Sequence, residues 1–227
     1  MKGRLNIFLI AALVFAFNLN HGSSTNSARE VYEKCKARAA EIDSSLKHVD
    51  IQFIQKMEMR STKGDRDSLV FRITVRHGKF ERQLIYSTVP NGDRFGGGYD
   101  AFDRMFFLSE YFSDGKKVLA SCEFDKPTCN GCYGINFSFA KASDMGDPLS
   151  TVTASVNAYN YTPVHIEEHI TGLPLGVEFK DNIDVVYDQE SEMYFPDKIV
   201  MQVYARFLFL KGEVAVVTIK NEDLKKI

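Results

Sequence analysis

The sequence predicts an α+β fold built on one large antiparallel sheet, and three observations lead to this prediction. Hydrophobic residues recur at spacings of three and four in one early segment, which is the period of an amphipathic helix. From residue 49 onward they mostly alternate with polar residues, which is the period of a half-buried strand. The connections between the alternating segments are short, and short connections favour antiparallel neighbours over parallel βαβ units. We expect nine to eleven strands and two helices.

The first helix is predicted from Ser27 to Leu46. Ser27 is followed three residues later by Glu30, which fits a capping box. Charged residues occupy the other faces, so a single apolar stripe should lie against the sheet. The stripe consists of Val31, Cys35, Ala39, Ile42 and Leu46.

Three strands should follow as a meander with turns at 62–65 and 77–78. Each has one apolar face. The predicted faces are Val49, Ile51, Phe53, Met57 and Met59, then Leu69, Phe71, Ile73 and Val75, then Phe80, Arg82, Leu84 and Tyr86.

A glycine-rich loop, Pro90 to Gly98, and a second helix come next. The triple glycine 96–98 resembles a phosphate cradle, but no P-loop pattern accompanies it, so a hinge or lid is favoured. The helix is predicted from Asp100 to about Phe112 and is unusually apolar.

Strand alternation then resumes and continues to the end of the chain. Two short strands are predicted within Val177 to Tyr187, a long one from Ile199 to Phe209 and a closing one from Val214 to Ile219. The other predicted faces are Val118, Ala120, Cys122 and Phe124; Tyr133, Ile135, Phe137 and Phe139; Val152, Ala154, Val156 and Ala158; and Val164, Ile166 and Ile170.

The first 24 residues have the order of a secretory signal peptide: a basic start, an apolar stretch and a small polar zone. Cleavage is expected between Asn20 and Ser27, and a retained N-terminal anchor is the alternative. Residues 25–227 then form a single domain, since no repeat or low-complexity tract interrupts them. The expected location is periplasmic or secreted.

Composition excludes several classes of protein. Lys and Arg total 28 against 30 Asp and Glu, so the basic surplus of a nucleic-acid-binding protein is missing. After Leu19 no apolar run reaches the roughly 20 residues of a membrane helix, so an integral membrane protein is not expected. With 44% hydrophobic residues, the chain is too apolar to be disordered.

Four cysteines in an exported chain predict disulfides. They are Cys35, Cys122, Cys129 and Cys132, and three pairings are possible. The Asn-Gly pair between Cys129 and Cys132 predicts a tight turn that would bring these two sulfurs together, with Cys122 as the competing partner. A catalytic redox pair is less favoured, because strands rather than a helix flank the motif. A thiolate zinc site is less favoured, because four ligands of ordinary spacing are not visible.

The apolar faces carry many Phe and Met residues, which suit an adaptable lipid-binding cavity. Two short helices cannot easily cover nine or more strands, so the sheet should curl around a groove or cavity. An ordinary filled core is the alternative. The candidate lipid-binding residues are Phe53, Met57, Phe71, Phe80, Phe102, Met105, Phe106, Phe137, Phe139, Phe207 and Phe209.

The layout from about Ala28 to Asn221 resembles the LolA-like lipoprotein-carrier superfamily. The closing segments 185–188, 194–199 and 206–210 carry most of this resemblance. It implies an open half-barrel with the helices over its concave face, a lipid or lipoprotein acyl chain as cargo, and transport of lipoproteins to the outer membrane as the process served. The cysteine group and the stretch 115–171 have no counterpart in that pattern.

Catalytic motifs are weak. His165, Glu167 and His169 share one face of a predicted strand, where a solvated polar face is favoured over a metal site. An acidic patch, Asp184, Asp188, Glu190 and Glu192, has no predicted partner for hydrolysis.

We therefore expect a non-enzymatic lipid binder without metal or cofactor. A module that binds another envelope protein is the first alternative, and a thiol- or metal-dependent enzyme is the second.

Overall fold

The computed structural model of the chain describes residues 26–62, 64–89, 100–112, 117–141, 144–172, 177–207 and 210–227. The predicted signal peptide, the loop at Pro90 to Gly98 and Phe209 lie outside these residues. None of the described helices is long and apolar enough to cross a membrane.

The N-terminal helix α1 spans Ala28–His48. Ser27 is its N-cap, as predicted, and the Ser27 side chain accepts the backbone N–H of Glu30 at 3.2 Å. Lys47 and His48 lie in the last turn, where positive charge stabilises the end of a helix. Every residue of the predicted stripe is buried. Asp43, expected on a charged face, is also buried, and this part of the prediction is wrong.

Ten strands form one antiparallel sheet in the order β3-β2-β1-β10-β9-β8-β7-β6-β5-β4. Within the described residues β3 and β4 each pair on one side only, so the sheet is an open half-barrel and the α+β prediction is confirmed. The strands are β1 (Ile51–Ser61), β2 (Arg66–Arg76), β3 (Lys79–Ser87), β4 (Lys117–Asp125), β5 (Cys132–Lys141), β6 (Asp144–Asn157), β7 (Pro163–Ile170), β8 (Glu178–Asp188), β9 (Met193–Phe207) and β10 (Leu210–Lys226).

The concave face of the sheet is a continuous apolar surface, which we call the floor. One row of directly paired, buried residues crosses eight strands, because the strand registers place apolar residues opposite each other. The row runs Ile135, Ala154, Ile166, Ile183, Ile199, Ile219, Met57 and Leu69. The other floor residues used below are Phe53, Phe71, Phe137 and Phe139.

Two short helices replace the single helix predicted from Asp100 to Phe112. They are α2 (Asp100–Met105) and α3 (Ser109–Phe112), and we call residues 102–112 the strap. The helix breaks because the Asp43 carboxylate accepts the backbone N–H groups of Leu108 and Ser109, which a continuous helix would pair with its own carbonyls.

Among the strand details that differ from the sequence prediction are the following three. An irregularity after Leu84 pairs Tyr86 with Val70, so Tyr86 leaves the face that it was predicted to share with Phe80. The two short strands expected before residue 188 are the single strand β8, because its alternation continues without a turn. The closing strand β10 extends well beyond the predicted Val214 to Ile219, since it pairs with both β9 and β1.

Cys129 and Cys132 form a disulfide in the connection between β4 and β5. Gly131 between them has φ +74°, a backbone conformation that suits glycine in a tight turn. The short-loop pairing is therefore the one adopted, and Cys35 and Cys122 are free thiols.

Candidate functional site

The floor and the strap bring most of the predicted lipid-binding residues into one interior. Phe53, Met57, Phe71, Phe137 and Phe139 lie on the floor, and Phe102 and Phe106 are buried on the strap. Phe80 and Met105 are partly buried against the same core. Phe207 is the last residue of β9, and Phe209 is not among the described residues.

At one end of the strap, Phe106 packs between two strands. Its ring is stacked on Phe53 of β1, with ring centroids 5.0 Å apart and an angle of 5° between the planes. It meets Phe80 of β3 edge-on at 5.6 Å. Offset-stacked and edge-on pairs each add about 0.5–1.5 kcal/mol beyond the area they bury. Phe106 therefore attaches the strap to the β1–β3 side of the sheet.

At the other end, Phe112 packs against β5. Its ring is 5.4 Å from that of Phe137, and Tyr32 of α1 meets Phe137 at 4.8 Å. Phe137 in turn contacts Phe139 edge-on at 5.6 Å. The strap thus spans the concave face from β1 and β3 to β5, and its aromatic side chains fill the space that the sequence analysis assigned to a cavity.

Four polar contacts, made by three side chains outside the strap, hold it in this position. Oδ1 of Asp43 accepts the N–H of Leu108 at 2.9 Å, and Oδ2 accepts that of Ser109 at 2.7 Å. The Tyr32 hydroxyl donates to the Phe112 carbonyl at 3.0 Å. Arg82 of β3 forms an ion pair with Asp103 of α2.

Asp43 is adapted to this role by its environment. Burial raises the pKa of its carboxyl, and the hydrogen bonds from Ser109 and Leu108 oppose this rise because they stabilise the charged form. The burial of Asp43 could have been predicted from its position, although its charge suggested an exposed side chain. Asp43 stands next to Ile42 and three residues before Leu46, which is the helical spacing of the buried stripe, so its side chain must face the interior.

Asp181 is a second buried carboxyl that the sequence analysis missed. It alternates in phase with Ile183 and Val185 on β8, so it faces the floor, and it is only 2% exposed. Glu168 lies directly opposite on β7. Burial first, and the charge of Glu168 second, raise the pKa of Asp181 to about 7. A carboxylate in phase with buried aliphatic residues was the available signal.

A cavity of about 270 Å³ opens at the rim of the half-barrel, between α1 and the β8–β9 turn. Ile42 and Met193, both core residues, contribute apolar surface to it, and Tyr187 and Tyr194 flank it with their rings 4.9 Å apart. Arg38 lies over the ring of Tyr194 at 5.8 Å. The cavity is therefore amphipathic, and it adjoins the helix that anchors the strap.

The free thiols are poorly suited to nucleophilic chemistry, because the thiolate is the reactive form. Burial raises the pKa of both Cys35 and Cys122. Cys35 lies on the buried stripe of α1, and Cys122 is half-buried on the edge strand β4.

The predicted histidine cluster lies on the convex face and pairs with acidic residues. Nδ1 of His165 is 2.8 Å from Oδ1 of Asp184, and Nε2 of His169 is 3.3 Å from Oε2 of Glu178. No group of three or more potential metal ligands occurs within the described residues.

The acidic patch is a set of turn and strand residues. Asp184 pairs with His165, and Asp188 accepts the backbone N–H of Ser191 at 2.7 Å. Glu190 and Glu192 are exposed in the β8–β9 turn.

Three of the solved structures that are similar to this chain are described here. The first is a LolA superfamily protein from Nitrosomonas europaea, with 12% identity, a TM-score of 0.41 and a match that covers 88% of this chain and 94% of that chain. The second is a domain named as an outer membrane lipoprotein-sorting protein from Vibrio parahaemolyticus, with 12% identity, a TM-score of 0.45 and coverage of 88% of this chain and 93% of that chain. The third is a DUF1329 family protein from Desulfovibrio piger, with 9% identity, a TM-score of 0.43 and coverage of 89% of this chain and 94% of that chain. The first of these chains is named as a member of the superfamily that the sequence layout resembles. No protein-family model and no curated protein matches the chain.

Proposed function

We propose that the protein is an exported, non-enzymatic binder of lipid or lipoprotein acyl chains, which it holds on the floor in the place that the side chains of the strap occupy. Transfer of lipoproteins towards the outer membrane is the process such a binder would serve. The observation that carries the proposal is the strap itself. A separate segment, anchored at a few polar points, covers the apolar floor with aromatic side chains where an acyl chain would lie.

The energetics support an exchange between strap and acyl chain. Burying a CH₂ group contributes about 0.8 kcal/mol, so a chain of about 12 carbons contributes roughly 10 kcal/mol. Withdrawing Phe102, Phe106, Leu108 and Phe112 from the core costs about 1.5–3 kcal/mol each by the same measure, and the polar contacts of the strap add to this cost. The two amounts are similar, so an incoming chain can replace the strap at little net cost.

The cysteines support export and argue against a thiol enzyme. A disulfide between Cys129 and Cys132 suits an oxidising compartment. The pair stands in a hairpin connection rather than at the start of a helix, where redox pairs occur. The raised pKa values of Cys35 and Cys122 leave little thiolate at neutral pH.

The test is acyl-chain binding by the full chain and by a strap-released variant. Solvent extraction of the purified protein, followed by mass spectrometry, should yield acyl species. A fluorescent fatty acid should bind the wild type and bind Asp43→Ala several-fold faster, because the strap opens more often. Glu41→Ala removes an exposed carboxylate from the same helix and should bind like the wild type. Absence of extracted acyl species together with no uptake by any of the three proteins would overturn the proposal.

One observation favours the alternative, a module that binds another envelope protein. Leu84, Ile85 and Tyr86 are 44%, 50% and 54% exposed on the edge strand β3, and an exposed apolar edge strand is a surface for pairing with another chain. For this function, immobilised wild type should capture one defined protein from a delipidated envelope extract. Ile85→Lys should lose it, and the nearby exposed Gln83→Lys should retain it.

A further inference from the structure

A pair of neutral amide side chains interrupts the apolar floor. Gln55 of β1 and Asn221 of β10 are directly opposed, and the alternation of both strands turns them to the concave face, where they are 5% and 0% exposed. The neighbours of Gln55 on this face are Phe53 and Met57 of the same strand and Phe71, directly opposite on β2, and all three are buried. The two amides therefore stand among hydrophobic side chains, where each polar atom needs a partner.

Hydrogen bonds join the two amides to the backbone of β9. The register of β9 and β10 ends at the pair Lys198 and Lys220, and Nδ2 of the next residue, Asn221, donates to the Pro196 carbonyl at 2.8 Å. Nε2 of Gln55 donates in turn to Oδ1 of Asn221 at 3.1 Å. Asn221 thus holds β10 to β9 where the backbone pairing has ended, and this structural role uses both ends of its side-chain amide.

The oxygen of the Gln55 amide has no such role. The direction of the hydrogen bonds is fixed at Pro196, because a carbonyl oxygen only accepts. Asn221 must therefore turn its NH₂ group towards Pro196 and its oxygen towards Gln55, which must present its own NH₂ group. Within the described residues Oε1 of Gln55 is buried and has no hydrogen-bond partner. An unsatisfied buried acceptor is unfavourable, and one in a proposed binding site is explained if a ligand supplies the donor.

Gln55 lies next to the place that an incoming acyl chain would occupy. The ring of Phe106, on the strap, is stacked on that of Phe53. Phe53 stands two residues before Gln55 on the same face of β1, a separation of about 6.6 Å along the strand. A chain that takes the place of Phe106 would therefore pass beside Oε1 of Gln55.

We propose that Gln55 selects acyl chains that carry a neutral hydrogen-bond donor, an amide N–H or a hydroxyl group, which donates to its Oε1 atom. This inference rests on the proposed function, because the floor supplies the surface on which the chain binds. A chain whose polar group is an ester or an ether has acceptors only and would leave Oε1 unsatisfied. An ammonium group would donate, but burying its charge against one neutral oxygen would cost more than the hydrogen bond contributes.

The test compares ligands in which a methyl group replaces the hydrogen of the donor. N-phenylnaphthylamine, a neutral fluorescent probe of apolar sites, is bound first and then displaced by each ligand below its solubility limit. The amide pair is N-methyldodecanamide, which has one N–H, and N,N-dimethyldodecanamide, which has none. The alcohol pair is dodecanol and dodecyl methyl ether. The ratio of the two affinities is compared between protein variants, so the contribution of the extra methyl group cancels.

Gln55→Met removes the acceptor and keeps an unbranched side chain of similar length. For at least one pair, the ratio should favour the donor-bearing ligand by about threefold to tenfold more in the wild type than in Gln55→Met, which is the scale of one neutral hydrogen bond. The pair that shows the effect distinguishes an amide N–H from a hydroxyl group. Gln52→Met is the matched control, because alternation places Gln52 of the same strand on the convex face, and it should keep the wild-type ratio.

A measurement on the wild type keeps the test decisive if Gln55→Met folds poorly, since this variant also removes the donor to Asn221. In the complex with the preferred ligand, nuclear Overhauser contacts should join the Gln55 side chain to the donor end of the ligand, meaning the N-methyl amide or the CH₂ group next to the hydroxyl. Contacts of Gln55 with the terminal methyl group alone would place the donor elsewhere and overturn the inference.

The outcomes distinguish the two proposals. Equal ratios in the wild type and Gln55→Met for both pairs would mean that water satisfies Oε1, which overturns donor selection and leaves the acyl-chain function standing. An equal loss of preference in Gln52→Met and Gln55→Met overturns donor selection as well. If no ligand binds the wild type, these two variants or Asp43→Ala, the proposed function is overturned, and donor selection with it.

Discussion

The carboxylate of Asp43, on the N-terminal helix, accepts the backbone N–H of Ser109 at 2.7 Å, 66 residues further along the chain. Its other oxygen accepts the N–H of Leu108 at 2.9 Å. One side chain thus satisfies two donors at the start of α3 and fixes the strap to α1. Because α1 also packs on the sheet, Asp43 links the covering segment to the surface that it covers.

Asp43→Ala should destabilise the protein by about 2 kcal/mol or more, since it leaves two backbone donors without their acceptor. The loss should be concentrated in the strap, so hydrogen exchange of Leu108 and Ser109 should rise more than that of the β9–β10 core. Urea unfolding and exchange measured by mass spectrometry test both parts. Glu41→Ala is the control, and an equal change in the two variants would contradict the assigned role.

Phe106→Ala should cost about 3–5 kcal/mol, the range for deleting a buried phenylalanine, because Phe53 and Phe80 both lose their ring partner. Phe124→Ala on the edge strand β4, where the ring is 51% exposed, should cost much less. Chemical denaturation of the two variants gives the comparison. A small cost for Phe106→Ala would mean that the strap does not seal the floor in solution.

The sheet was predictable because period-two alternation is a local property of the sequence. Phe71 and Ile73 of β2, for example, must face the same side of the sheet whichever strands pair with β2. Such residues therefore predict the strand without any knowledge of its neighbours. The same argument could not place the irregularity after Leu84, which moves Tyr86 to the other face. Such irregularities depend on the fit between β3 and β2, and alternation within one strand contains no information about that fit.

The anchors of the candidate site were not predictable from local patterns. Asp43 and Ser109 meet only when α1 and the strap are both in place, and the Asp103 ion pair with Arg82 likewise joins distant segments. Asp181 differs, because its phase with Ile183 and Val185 was visible in the sequence. A buried polar residue in phase with a core is informative about function.

The two free thiols should differ in reactivity. Burial raises the pKa of both, but Cys35 is fully buried in α1 whereas Cys122 is half-buried on an edge strand. Ellman's reagent should therefore label Cys122 slowly in the native protein and Cys35 only after unfolding. Cys122→Ser identifies the slow phase, and rapid native labelling of Cys35 would show that α1 detaches readily from the sheet.

The stability of the fold should fall as the pH rises from about 4 to about 7, because of Asp181. Its pKa is raised to about 7 in the folded protein, so in this interval the folded state binds the proton that the unfolded state has released. The free energy of unfolding therefore decreases as the pH rises through this interval. The decrease is complete above pH 7, where the Asp181 carboxylate is charged in the interior. A shift from 3.8 to about 7 corresponds to an upper bound of about 4 kcal/mol.

Asp181→Asn removes the charge of Asp181 while preserving the shape of the side chain. The contribution of this residue to the pH dependence of the free energy of unfolding should therefore disappear. The variant should be more stable than the wild type at pH 8 and similar to it near pH 4. Urea unfolding at several pH values measures the difference in stability between the variant and the wild type. The control variant Asp184→Asn should keep the pH dependence of the wild type. If Asp181→Asn were no more stable than the wild type at pH 8, the raised pKa assigned to Asp181 would be wrong.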